Sequence, residues 1–238
     1  MKSTLLIIIG LFLSHMGTAQ FGLAVRYQSN NAPGWENEFI GSPEIESNGL
    51  EYALNYWFRL KNYRVEFLPE ITYANSSNTF PFETSIVPVL TGYNRTSIGL
   101  GLNTQIYPLD FEGDCDCPTF SKDGTLISKG FHFIVNTGLI RHNVETSIDD
   151  PSTDPALSFD VESYTFRGGI GVGLDIGLTE LITLSPHILV SRNFGVNAIN
   201  FTDFTPADTI SSSSLNQLNI GLRLIFRPDY QKPNFGYR

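Results

Sequence analysis

The sequence predicts an all-β protein: an eight-stranded, antiparallel, up-and-down transmembrane β-barrel. Three observations carry that expectation. The hairpin from Glu51 to Tyr73 alternates cleanly between apolar and polar side chains. Eight segments of the chain show the same alternation, joined by connections that are alternately long and tight, with one exception. The polar alternates of these segments are rich in glycine, which suits a narrow interior.

In the hairpin, alternate side chains point to opposite faces. One face carries Tyr52, Leu54, Tyr56, Phe58, Leu60, Tyr63, Val65, Phe67, Ile71 and Tyr73. The other carries Glu51, Asn55, Arg59, Arg64, Glu66, Glu70 and Thr72, with Trp57 and Leu68 as exceptions. Each arm has roughly 10 residues, enough to cross a bilayer as a tilted strand, and a tight Lys61-Asn62 turn joins them. Aromatic residues gather towards the arm ends, as in an interfacial girdle.

The first strand precedes this hairpin: Phe21, Leu23, Val25 and Tyr27 share one side. A loop rich in Asn, Pro, Gly and Glu follows from Asn30 to Ser47. After the hairpin, Asn75 to Arg95 reads as a second long loop, in which Ser85 to Leu90 could extend a strand past the bilayer. The fourth strand spans Ser97 to Leu109, and a connector runs from Glu112 to Lys129. The fifth strand, Gly130 to Val144, leads into an acidic loop from Thr146 to Ser163. In the sixth strand, Tyr164 to Leu178, apolar residues alternate with Arg167, Gly169, Gly171, Gly173, Asp175 and Gly177. A Thr179-Glu180 turn, the seventh strand Leu181 to Phe194, a last long loop Gly195 to Ser214 and the eighth strand Leu215 to Arg227 complete the chain. An even strand count with tight turns at one end and long connections at the other is the membrane-barrel pattern. Only the connector after the fourth strand breaks it. A secreted barrel of the lipocalin kind would invert the faces. The glycines at 99, 101, 169, 171, 173, 177 and 221 favour a polar interior and a lipid-facing apolar exterior.

Composition agrees. Charged residues are only 16% of the 238, aromatics 13%, and there are 21 glycines. A formal charge of -9 argues against nucleic acid or an anionic membrane surface as partner, since both require a basic patch. Residues 1–19 read as a cleaved signal peptide: Lys2, an apolar run from Leu5 to Leu13, and small residues at Gly17, Thr18 and Ala19 before a cut ahead of Gln20. Residues 20–238 then form one barrel domain. With eight strands, both termini and the connector fall on the periplasmic side.

The inward charges are Glu51, Arg59, Arg64, Glu66, Glu70, Arg167, Asp175, Arg223 and Arg227. An eight-strand interior is just wide enough to be filled by side chains. An unpaired buried charge is costly, so these residues are expected to form ion pairs that plug the lumen; the alternative is a narrow conducting path along them. Cys115 and Cys117 are the only cysteines. They can close a local disulfide, remain free or bond a partner, or hold a metal, although zinc sites usually have wider spacing and more ligands.

Three histidines raise the question of catalysis. A hydrolase needs a serine or carboxylate aligned with a histidine. His132 and His142 lie on one strand roughly 33 Å apart at the usual rise and cannot share a site. His187 has Ser185 and Ser191 on its face. No catalytic, cofactor or metal site is expected. Asp208-Thr209-Ile210 resembles a short O-glycosylation acceptor.

The stretch from Tyr107 to Phe111, then Asp114-Cys115-Asp116-Cys117-Pro118-Thr119-Phe120-Ser121-Lys122 and Lys129-Gly130-Phe131, resembles outer-membrane β-barrel (porin-like) families of Gram-negative envelopes. The resemblance implies fold and location: the cell outer membrane, with outer-membrane lipid as the surrounding partner. It carries no catalytic residue. The expected role is that of a monomeric structural or surface-binding protein acting through four extracellular loops on an extracellular ligand. The alternatives are a narrow pore for small solutes, or an accessory subunit of an envelope or secretion machine that meets a periplasmic protein partner through the connector.

Overall fold

The computed structural model describes residues 20–32, 45–60, 63–83, 88–111, 127, 130–149, 157–179, 181–202 and 205–226. The strands are β1 (Gln20–Ala32), β2 (Ile45–Arg59), β3 (Val65–Glu83), β4 (Pro88–Ile106), β5 (Phe131–Asp149), β6 (Leu157–Leu174), β7 (Ile176–Gly177), β8 (Ile182–Thr202) and β9 (Thr205–Phe226). The two-residue β7 continues β6 past Asp175, so the barrel has eight staves. Neighbours pair antiparallel in chain order, β9 pairs β1, and β6 pairs β8 to close the wall.

The faces follow the alternation. Leu23, Leu100, Leu139 and Ile170 point outward and are 62 to 70% exposed. Arg26, Glu51, Glu70, Arg167 and Arg223 point inward and are buried. Trp57 and Leu68, the two exceptions of the hairpin, are also inside. So continuous an apolar exterior around a polar interior is a lipid-facing wall and excludes a solvated one. The chain is a membrane-spanning barrel of the outer-membrane type. On β4 the outward apolar band runs from Ile98 to Ile106. Nine residues at ~3.4 Å each, tilted by about 40°, give a band roughly 23 Å tall.

Two inward glycines stand where large side chains lie against the wall. A Cβ at Gly173 would sit 2.4 Å from His132 Nε2, and one at Gly221 would sit 2.7 Å from Arg26 Cγ.

The staves are taller than their sequence implies. Asn75 to Arg95 is mostly strand: β3 and β4 stay paired from Asn75↔Thr96 up to Glu83↔Pro88. Much of Thr146 to Ser163 belongs to β5 and β6, and nearly all of Gly195 to Ser214 belongs to β8 and β9. These stretches are strand without amphipathic contrast. Above the band the outer face meets water, so Asn, Ser and Thr occupy it, and the apolar alternation that marks a half-buried strand disappears. At the opposite end, Leu60 and Val65 close the β2–β3 hairpin by a backbone bond of 3.0 Å. Thr179 Oγ1 accepts from the Leu181 and Ile182 amides to hold the turn after β7. Residues 61–62, 84–87, the Cys115 and Cys117 connector and Arg227 lie outside the described residues.

Replacing Leu100 by Arg should cost about 2–4 kcal/mol, and Asn143→Arg, on the same outward face but above the band, within about 0.5 kcal/mol. Denaturant titration of barrel folded into lipid vesicles compares the two, and equal costs would mean the band is misplaced.

Candidate functional site: the charged lumen

The buried charges of the lumen meet at two levels. The central one is built on Arg26, which sequence reasoning passed over although the Gly22-Ala24-Arg26 alternation of β1 places it inward. Arg26 grips Glu70 with both terminal nitrogens, at 2.6 and 3.1 Å, and donates from Nη1 to Glu51 at 2.6 Å. Arg167, across the lumen on β6, donates to the other Glu51 oxygen at 2.9 Å, and Gln28 donates to it at 3.0 Å. Glu51 therefore ties together staves β1, β2 and β6 through both of its oxygens.

His187 belongs to the same level. Its Nε2 accepts from Arg26 Nε at 3.1 Å, so the ring proton sits on Nδ1 and is donated to the Ser185 carbonyl. The ring is a neutral spacer beside the guanidinium. It does not bond the Ser185 hydroxyl, and Ser191 instead pairs with Gln217 and Asn219. The Ser–His alignment considered for His187 is not formed.

The second level lies towards the termini. Tyr107 OH is 2.7 Å from Asp175 Oδ2 and 3.0 Å from Glu66 Oε2, and Trp57 Nε1 donates to the same Glu66 oxygen. Arg64 stacks on the Tyr107 ring at 4.0 Å and bonds Asp110 at the rim. His132 lies between the Gly130 carbonyl and Gln105, with Asp175 3.9 Å from its Nδ1. Arg223, expected in an ion pair, is buried between the two levels, and its Nε and Nη1 find no hydrogen-bond partner among the described residues.

Of the charges expected inside, Glu51, Glu70 and Arg167 join the central level. Glu66, Asp175 and Arg64 form the terminal one, and Arg223 stands between. Arg59 is placed in β2 opposite Glu66 by register, and its side chain lies outside the described residues. Arg95 was hidden in a segment read as loop. It is buried on β4 below an apolar cluster of Ala32, Tyr93, Val144, Val196 and Leu215. That cluster closes over the polar lumen at the tall end of the barrel.

His142 sits just below, between Ser97 at 2.7 Å and Thr165 at 3.0 Å. Thr165 bonds the Ile140 carbonyl, so its oxygen accepts from His142 Nε2 and the Ser97 hydroxyl donates to Nδ1. No carboxylate orients this ring, and the arrangement works as a tie across β4, β5 and β6. Among the described residues, no group of three or more His, Cys, Asp and Glu side chains is placed to hold a metal.

No family model and no curated protein sequence matches the chain. Solved structures do resemble it. Ail, the attachment invasion locus protein of Yersinia pestis, solved with the heparin analogue sucrose octasulfate, has a TM-score of 0.45 at 9% identity, over 88% of this chain and 99% of its own. A major outer membrane protein of Thermus thermophilus has a TM-score of 0.46 at 11% identity, over 87% of this chain and 99% of its own. The outer membrane protease OmpT of Escherichia coli has 0.44 at 6% identity, over 88% and 96%. At these identities the likeness is one of fold alone.

Glu51→Gln should cost about 3–5 kcal/mol, because it leaves Arg26 and Arg167 buried with a weakened partner. Replacing Arg26 and Glu51 together by leucine and methionine should cost less than the sum of the single changes. A double-mutant cycle in the same vesicle assay measures the coupling, and strict additivity would mean the pair is not a unit.

Proposed function

We propose that this protein is an outer-membrane barrel, closed within the membrane, whose lumen is plugged and whose task is carried by the wall that rises above the membrane. The observation that supports this most directly is the division of the molecule by height. Inside the apolar band, charge meets charge, with Arg26 and Arg167 bound to Glu51 and Glu70, and buried side chains fill the space around them. Above the band, the outward side chains are Asn75, Asn94, Asn143, Ser158, Asp160 and Asn216, all presented to water on continuous strands.

The β8–β9 ladder rises from Arg192↔Asn216 to Thr202↔Thr205. That is about ten residues, or roughly 33 Å of strand, far more wall than a spanning barrel needs. Longer connections face outward in outer-membrane barrels, which puts this end on the cell surface and the termini in the periplasm. The role is structural or surface-binding and involves no catalysis; the rim offers the contact surface. Cleavage after residue 19 and a monomeric state belong to the same reading.

Purified protein in planar bilayers should show no steady porin-like conductance. Intact cells should expose an affinity tag inserted after Asp149 to antibody. Large, ion-selective current steps would replace this reading with a pore, and a tag reached only after permeabilisation would reverse the orientation.

A further inference from the structure

The barrel is not closed over its whole height. β6 and β8 pair only from Gly173↔His187 up to Phe166↔Phe194. Above that level β6 continues for Leu157–Thr165 with β5 on one side and no strand on the other among the described residues. The cause is local. β8 carries a bulge between Asn193 and Val196, with Gly195 at φ 83°, the only positive-φ glycine among the described residues. A glycine in the left-handed region at a bulge adds an unpaired residue and bends the strand away from its neighbour. β8 then stays paired with β9 and, among the described residues, does not pair with β6 again.

A free strand edge carries unpaired backbone N–H and C=O groups and is a template for another strand. Three of the rim's free edges are blunted. β3 has Pro81 in the part beyond its pairing with β2, β8 has its bulge and a second register shift between Ile199 and Phe201, and β9 has Pro206. Proline and bulges are the usual devices that stop a further strand from adding. The upper edge of β6 has neither, and its ladder to β5 is unbroken from Ile148↔Leu157 to Arg141↔Tyr164.

Its outward positions are Ser158, Asp160, Glu162 and Tyr164, all exposed, with Glu145 beside them on β5. Arg141 bonds Glu162 at 2.6 and 2.8 Å. Hydrogen bonds from Arg141 and then Tyr164 hold the Glu162 carboxyl below its usual range, so it stays ionised. Asp160 has no such cation. A second copy of this edge would bring like charges together, which disfavours self-pairing.

We propose that the upper edge of β6, Leu157–Thr165, is a strand-addition site for an extended polypeptide segment whose outward side chains are cationic. This rests on the surface-binding reading above and names the partner's chemistry. Backbone hydrogen bonds to β6 supply the attachment, and Asp160, Glu162 and Glu145 select for lysine or arginine on the outward alternates. The Gly195 bulge keeps β8 out of the place the segment takes.

The test uses the full-length barrel in lipid nanodiscs and a synthetic peptide of alternating lysine and valine as probe. Amide hydrogen exchange should slow across Leu157–Thr165 when the probe is added. An isosequential probe N-methylated on alternate residues should give no protection, since it cannot complete a ladder. The Asp160→Lys, Glu162→Lys double variant should bind at least about tenfold more weakly, a difference of about 1.4 kcal/mol. If that variant does not fold, Asp160→Asn with Glu162→Gln serves in its place, with the same direction expected. Protection that appears on β3, β8 or β9 instead would overturn the β6 assignment and leave the surface-binding reading standing. Equal binding of the N-methylated probe, or no saturable binding at all, would overturn strand addition. The surface-binding reading stands or falls separately, on the conductance and tag experiments.

Discussion

A charge placed in the wall of this barrel has only one place to go. Lipid covers the outside, so Arg26, Glu51, Glu70 and Arg167 turn inward and find their partners across a lumen a few side chains wide. Glu51 shows how tightly this binds the structure: one carboxylate receives Arg26 from the neighbouring stave and Arg167 from the far wall. Gly173 on β6 and Gly221 on β9 follow from the same constraint. They leave room for His132 and Arg26, which are long side chains laid across a narrow space. Breaking one partner of such a network leaves an uncompensated buried charge, so the pairing enforces register as well as stability.

That constraint also explains what was legible in the sequence. Within the band, every residue is forced to choose lipid or lumen, and the choice leaves a period of two. Hence the staves, their faces and inward charges such as Glu66 and Asp175 can be read directly from the chain. Even the exceptions obey it, since Trp57 and Leu68 fill the lumen where a polar residue was expected. Arg26 was equally legible by parity, and only the shortness of the first segment obscured it. Above the band both faces see polar surroundings, or water on one side and a thin interior on the other. The apolar signal then vanishes while the strand continues. Arg95 was missed for that reason: its segment reads as a loop, yet it lies on β4 at a buried inward position. Which carboxylate meets which guanidinium was never in the sequence, because the partners are up to 116 residues apart and meet only through closure.

The two halves of the molecule answer to different solvents, and their irregularities differ accordingly. Inside the band, a bulge or an open edge would leave backbone groups unsatisfied in hydrocarbon, a cost of several kcal/mol each. The described ladders that span the band are continuous there apart from two short breaks, one at Asp175 and one where Tyr56 and Trp57 face Leu68 and Pro69, whose ring leaves no N–H to pair. Above the band water can satisfy an open N–H, and the wall is free to part. The Gly195 bulge sits one residue beyond the last β6–β8 pair, Phe166↔Phe194, at the height where parting first becomes tolerable.

The position of that bulge separates what the barrel needs from what its surface can use. A barrel whose only requirement was closure would gain nothing from a left-handed glycine just above the lipid, and continued pairing of β6 with β8 would satisfy more backbone. The glycine instead frees the upper β6 edge and leaves β8 bent and protected. Level with the open edge, where Val144 pairs with Val161, the cluster of Tyr93, Val144, Val196 and Leu215 fills the interior above Arg95. The bulge beside the open edge and the apolar cluster inside it share a residue pair by sequence, Gly195 and Val196. A single local distortion thus opens the outside of the wall while its next side chain helps close the inside.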